Sequence, residues 1–159
     1  MTAAIPNRGG ASVGQLSHMD GLEAACVIYF RLWAENADSR NAVRDDFTIA
    51  LGGVHGAAVT RAWEELMGIC THHARRPLMR HALTCKCLGA DESCFANFIA
   101  AAAEGAHEDA LLMATLLVRV DMAPVLTSLA CKCGLALKRM SLAAPRDMAR
   151  QAPESRTLH

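Results

Sequence analysis

Hydrophobic residues recur every three to four positions along most of the chain, and this spacing is typical of amphipathic helices. The pattern predicts a helix that begins at Asp20 or Ser17, helices that begin near Ser39, Asp91 and Asp121, and helices over residues 54–73, 77–83 and 106–119. Gly52-Gly53 and Gly105 are expected to end helices, because glycine is a poor helix former. Since the connections are short, we predict an all-α, single-domain bundle of six to seven short helices with mostly antiparallel neighbours.

Residues 106–119 are apolar on nearly every side, which predicts the central, buried helix of the bundle. A dimer interface would cover part of such a helix, so a homodimer is one expected state. Residues 1–16 and 144–159 lack the helical pattern and hold three of the five prolines, and glycines cluster near residue 10. We therefore predict a flexible N-terminal arm (1–16), a helical domain (17–143) and a flexible C-terminal tail (144–159).

The amino-acid composition limits the classes of protein to which the chain can belong. Apolar residues make up 52% of the chain and aromatic residues only 4%, which indicates a folded domain rich in close-packed helices. Sixteen basic residues balance sixteen acidic ones, so nucleic acid is not an expected partner. The N-terminus lacks a signal-peptide pattern and the apolar run 110–118 is too short to span a bilayer. These features favour a cytoplasmic protein without a membrane segment, and the arginine- and alanine-rich usage is typical of a bacterial source.

The residues that could bind a metal or react as thiols are concentrated in one cysteine–histidine cluster. His81, Cys85, Cys87 and Cys94 lie within fourteen residues, and four such side chains form the ligand set of a structural zinc. Cys70 and His73 form a second helical pair that could replace two of these ligands. We therefore predict a zinc ion at the junction of three chain segments.

Two other interpretations of the cysteines stay open at this point. Cys94 is expected in the first turn of a helix, where the helix dipole favours a thiolate, so a redox or thiol enzyme could use it with Cys85 or Cys87. Alternatively, the cysteines are small core residues, as expected for Cys26 and Cys133 on the apolar faces of their helices.

Four basic residues surround the cluster, and the stretch from residue 66 to residue 90 contains no acid. Arg75, Arg76, Arg80 and Lys86 therefore form the predicted contact surface for a protein partner, which would be acidic. A helix-turn-helix through Gly52-Gly53 is a minority alternative, but Glu64 and Glu65 would repel DNA.

The function predicted from the sequence is a zinc-stabilised helical protein that acts in protein interaction or regulation. Nucleotide-binding and hydrolase motifs such as the P-loop and G-x-S-x-G do not occur, which favours a non-catalytic role. The alternative is a small metal-dependent or thiol/redox enzyme that uses Cys85, Cys87 and Cys94, and the minority alternative is a DNA-binding regulator.

Overall fold

The computed structural model describes the backbone of residues 8–151 and the side chains of residues 8–141. This part of the chain contains six α-helices and one two-stranded antiparallel sheet. The helices are α1 (Gly21–Glu35), α2 (Ala37–Leu51), α3 (Gly53–His72), α4 (Ala90–Ala103), α5 (His107–Leu117) and α6 (Ala123–Gln151). The strands are β1 (Ser12–Gln15) and β2 (Cys87–Gly89). The prediction of an all-α, single-domain bundle is confirmed.

Some of the predicted helix ends are confirmed and others are wrong. Asp20 caps α1 by accepting a hydrogen bond from the Glu23 N–H at 2.8 Å. The second helix begins earlier than expected, because Asn36 and not Ser39 is its cap. Gly52 ends α2 with a φ of 84°, a left-handed conformation that glycine adopts without strain.

The core lies between α1, α3, α4 and α6, and aromatic rings occupy its centre. The fully buried ring of Trp63 contacts the rings of Tyr29, Phe47 and Phe95, each in an edge-on arrangement. The backbones of α4 and α6 approach closely at Gly134, where an added Cβ would lie 2.9 Å from the carbonyl oxygen of Ile99. A larger residue at this position would push the two helices apart.

The predicted position of the fifth helix is wrong. We expected residues 106–119 to form the buried centre, but α5 lies at the surface, with Leu112 66% and Leu116 65% exposed. The central helix is α4, which contacts α1, α5 and α6. Its alanines let neighbouring helices pack closely on several sides, whereas α5 buries only one face.

The predicted helix over residues 77–83 is absent, and we call the whole connection from α3 to α4, residues 73–89, the cysteine segment. Its backbone groups bond to side chains of α1 and α4 instead of forming a local helical ladder. These long-range partners explain why the local pattern around Pro77 gave the wrong prediction.

Part of the predicted N-terminal arm is structured. Strand β1 pairs with β2, with Ser12 opposite Gly89 and Gln15 opposite Cys87, and the Ala90 N–H donates to the Ala11 carbonyl at 2.9 Å. Residues 8–16 therefore lie along the cysteine segment. At the other end, α6 continues to Gln151, into the predicted tail. The remaining residues of the arm and tail, 1–7 and 152–159, lie outside the described residues.

One described stretch, Val120–Ser141, is long and apolar enough to cross a membrane by length and composition alone. Half of its apolar window is buried inside the bundle, and core helices of soluble proteins meet the same criterion.

Candidate functional site

A fully buried ion pair joins α1 to the start of α4. The Arg31 Nε lies 2.6 Å from Glu92 Oε1, its Nη2 lies 2.9 Å from Oε2, and neither side chain is exposed. Taking both charges out of water is costly, so such a pair is stable only when its remaining hydrogen-bonding groups have partners. These partners come from the cysteine segment.

Arg31 holds the cysteine segment by three backbone carbonyls. Its two terminal nitrogens donate to the carbonyls of Ala82 at 3.1 Å, Cys85 at 2.6 Å and Cys87 at 2.7 Å. Together with the two bonds to Glu92, these contacts match the five N–H donors of a guanidinium group. The position of both cysteine backbones is thus set by a single side chain of α1.

Glu92 holds the same segment by two backbone N–H groups. Its carboxylate accepts from the His81 N–H and from the Gly89 N–H, each at 2.9 Å, the second bond being half of a helix capping box. Burial alone would raise the pKa of Glu92, but the hydrogen bonds from Arg31, Gly89 and His81 outweigh it and lower the pKa. Glu92 therefore stays ionised in the folded chain at neutral pH.

The neighbouring acid, Asp91, fixes the first half of the cysteine segment. It was predicted to cap its helix, but the helix begins at Ala90 and Asp91 instead accepts two bonds from Arg76 at 2.7 and 2.8 Å. It also accepts from the Met79 N–H at 2.7 Å. Two consecutive acids in the first turn of α4 thus determine the path of the whole connection.

His81 is oriented toward Cys85 by a contact with the N-terminal residues. Its Nε2 lies 2.9 Å from the Gly10 carbonyl oxygen, and its Nδ1 lies 3.6 Å from the Cys85 Sγ. A carbonyl can only accept, so Nε2 carries a hydrogen, and Nδ1 faces the Cys85 sulfur, where it can take the thiol proton and then donate to the resulting thiolate. The imidazole is placed to accept the proton of Cys85.

Cys85 is partly exposed and its pKa is lowered. The largest cause is a hydrogen bond from the Cys87 backbone N–H, followed by the hydrogen bond with His81, and the Cys87 side chain also contributes. The lowered pKa increases the fraction of Cys85 that is thiolate, which is the nucleophilic form of the residue.

The expectation of a low pKa for Cys94 is wrong. Cys94 is the fifth residue of α4, just past the first turn, and burial and the charge of Asp91 raise its pKa, while Arg76 lowers it only in part. Desolvation of the thiolate outweighs the helix dipole at this position.

The four predicted zinc ligands are placed unequally. Cys85 contacts both His81 and Cys87, whereas Cys94 lies apart on α4. Over the described side chains, no group of three or more histidine, cysteine or acidic residues is arranged to hold a metal ion. Zinc binding by this set stays a prediction, and it would need a change in the position of Cys94.

The substitute ligand Cys70 and the other cysteines outside the cluster belong to the helices, whereas His73 is the first residue of the cysteine segment. Cys70 and Cys133 are buried, and burial raises the pKa of each thiol to about 12. Cys26 is also buried with a raised pKa, which agrees with its predicted core position. Cys70 lines a cavity of about 210 Å³ under the cysteine segment, and His73 follows the end of α3.

Two of the four predicted partner-binding residues are engaged within the chain. Arg76 pairs with Asp91, and Arg80 donates to Glu35 at 3.0 Å. Arg75 and Lys86 are exposed. The basic surface available to a partner is thus smaller than the sequence suggested.

Sequence reasoning missed Arg31 and Glu92, which organise the site. One signal was present: Arg31 shares the apolar face of α1 with Val27 and Phe30, at helical spacing, where a charge needs a partner. The partner is 61 residues away, so periodicity could not identify it.

No family model, curated protein or solved structure matches this chain.

Proposed function

We propose that the protein is a thiol-based redox-responsive module whose centre is the His81–Cys85–Cys87 cluster. The observation that carries the proposal is the placement of the partly exposed Cys85 sulfur 3.6 Å from Nδ1 of His81, with Cys87 beside it. A thiolate next to an imidazole and a second thiol is the arrangement that redox-sensing cysteines use.

The proposed reaction is oxidation of the two thiols by a peroxide. The Cys85 thiolate attacks one oxygen of hydrogen peroxide, the O–O bond breaks, and hydroxide leaves, giving a sulfenic acid at Cys85. The Cys87 thiol then attacks that sulfur, an S–S bond forms, and water is released after proton transfer. Two thiols lose two electrons in total and the peroxide gains them, so the exchange balances. A dithiol reductant would reverse it.

Both cysteine carbonyls are hydrogen-bonded to Arg31, which suggests how oxidation would act on the rest of the molecule. A disulfide has a narrow range of Cα–Cα distances and dihedral angles, so we expect its formation between residues two apart to strain the backbone that Arg31 holds. Oxidation is therefore expected to loosen the cysteine segment and its pairing with β1. Exposed Arg75 and Lys86 would present this change to an acidic protein partner.

The test is mass spectrometry of the purified protein after treatment with hydrogen peroxide. We expect a Cys85–Cys87 disulfide in the wild type, and a Cys85 sulfenic acid that dimedone traps in Cys87→Ser. Cys94→Ser is the matched control and should oxidise like the wild type. Peroxide treatment that modifies Cys94 first, or leaves Cys85 reduced, would contradict the proposal.

Zinc binding is the second candidate, and the orientation of His81 favours it. A metal-ligating histidine commonly donates its other ring N–H to a backbone carbonyl, as His81 Nε2 does to Gly10. His81, Cys85 and Cys87 would then be ligands in a structural role, in a protein that acts through interaction with others. Elemental analysis distinguishes zinc binding from the redox proposal. About one equivalent of zinc in the reduced protein supports zinc binding, and well under one equivalent rejects it.

A further inference from the structure

A second surface feature is a groove between α3 and α6, and no residue of the cysteine segment lines it. The groove encloses about 270 Å³ and its wall on α3 consists of residues spaced by three and four: His55, Ala58, Val59 and Ala62. The wall on α6 repeats the same spacing with Lys132, Leu135, Ala136 and Arg139. Each helix thus contributes a two-turn face, and each face is about 10 Å long.

The floor of the groove is apolar and its ends are basic. Ala62 and Ala136 are buried, whereas the apolar side chain of Leu135 is 49% exposed to solvent. Lys132 lies at one end of the α6 face, and Arg139 lies at the other end, with its Nη1 3.5 Å from Nε2 of His55. Among residues 8–141, whose side chains the structure describes, those that line the groove include no carboxylate.

We propose that this groove, which we call the α3/α6 groove, binds an acidic amphipathic helix of a partner protein. Two cationic ends separated by two helical turns match two acidic residues that are seven apart on one helix. Apolar residues between those acids would cover Leu135 and the alanine floor. The small floor residues allow the axis of a docked helix to approach closely.

The two basic ends of the groove argue against two other occupants. A single fatty acid carries one carboxylate and would leave the cation at the far end without a partner. A second copy of the α3/α6 groove carries the same basic groups and would be repelled. An acidic helix satisfies both ends and buries the apolar floor, and docking of a helical face into a groove is a common mode of peptide recognition.

The test uses a fluorescein-labelled, alanine-based helical peptide with two glutamates seven residues apart and two leucines between them, and a second peptide in which lysines replace the glutamates. We expect saturable binding of the glutamate peptide to the full-length chain by fluorescence anisotropy. Methyl NMR should place the contact at Ala58, Ala62 and Ala136. The double variant Lys132→Glu/Arg139→Glu should bind the glutamate peptide at least about tenfold more weakly and should gain binding of the lysine peptide.

Lys138→Glu is the matched control, because Lys138 is an exposed lysine of α6 that does not line the groove. It should bind the glutamate peptide like the wild type. The gain of lysine-peptide binding in the double variant also shows that this variant is folded. Equal binding of both peptides by the wild type would overturn the proposal. So would decanoate binding to the groove without glutamate-peptide binding, or a dimer in sedimentation that the double variant abolishes.

Discussion

The helical core and the cysteine segment are stabilised by different kinds of interaction. The core is held by apolar side chains such as Trp63, Phe95 and Leu126, whose packing is non-directional and shared among many residues. The cysteine segment has few buried apolar groups and is held by directional bonds to Arg31, Asp91 and Glu92. Three charged side chains thus fix the position of one irregular connection, as apolar packing fixes the positions of the helices.

The cysteines show the same contrast within one residue type. In the helices, burial raises the pKa of Cys70 and Cys133 to about 12, which makes them inert core residues. In the cysteine segment, hydrogen bonds lower the pKa of Cys85. The surroundings, and not the number of cysteines, decide which thiol can react.

The largest expected effect comes from Arg31→Met. This change leaves Glu92 as an unpaired buried charge and frees three carbonyls, so we expect a loss of about 3–5 kcal/mol in the free energy of unfolding. Urea denaturation followed by circular dichroism measures it. The double variant Arg31→Met/Glu92→Leu removes the unpaired charge, but the segment still loses its backbone partners, so it should remain less stable than the wild type.

Arg44→Met is the control for that experiment. Arg44 also forms an arginine–glutamate pair, with Glu64 at 2.6 Å, but both side chains are about 40% exposed. An exposed pair contributes about 0–1 kcal/mol, so this variant should stay close to the wild type. Equal losses in Arg31→Met and Arg44→Met would show that the buried pair does not have the special role described above.

A smaller and more local effect is expected for Asp91→Asn. The amide loses the charge-assisted pair with Arg76, which is 51% exposed, and weakens the bond to the Met79 N–H, for a cost of about 1–3 kcal/mol. Hydrogen exchange should accelerate in residues 76–82 and change little in α3. Asp121→Asn, at an exposed pair with Arg119, is the control, and it should leave exchange in the segment unchanged.

Acid should act on the segment through Glu92. Its pKa is lowered in the folded chain from an ordinary value of 4.5, so its contribution is fully present above about pH 4.5 and is lost as the pH falls through the folded pKa. Glu92→Gln removes this contribution and should give a flatter decline of stability below pH 4.5. Thermal melts between pH 3 and pH 7 measure the difference, and parallel curves for the two proteins would contradict it.

The sequence predicted the helices well because each one repeats its apolar pattern locally, and the N-cap at Asp20 and the break at Gly52 were readable for the same reason. It failed where long-range partners decide the structure. The segment near Pro77 bonds to α1 and α4, β1 pairs with a strand far along the chain, and α5 is covered on one side only.

The candidate site was predicted in part. The grouping of His81, Cys85 and Cys87 followed from short spacing, and the structure places Cys85 in contact with the other two. The low pKa expected for Cys94 was wrong, because the helix dipole was considered without the burial of the thiol. Arg31 and Glu92 were missed because they are far apart in the sequence. The only local indication of their ion pair is that Arg31, a charged residue, lies on the apolar face of α1.

Site-resolved alkylation tests the central claim, that His81 and the fixed cysteine segment make Cys85 the reactive thiol. Iodoacetamide is added to the folded, reduced protein across a pH series, and mass spectrometry follows each cysteine. We expect Cys85 to react first and at a pH below that of an ordinary thiol, Cys94 to react later, and Cys70 and Cys133 to stay unmodified. His81→Ala should move the Cys85 profile to higher pH. Faster reaction of Cys94, or an unchanged Cys85 profile in His81→Ala, would contradict it.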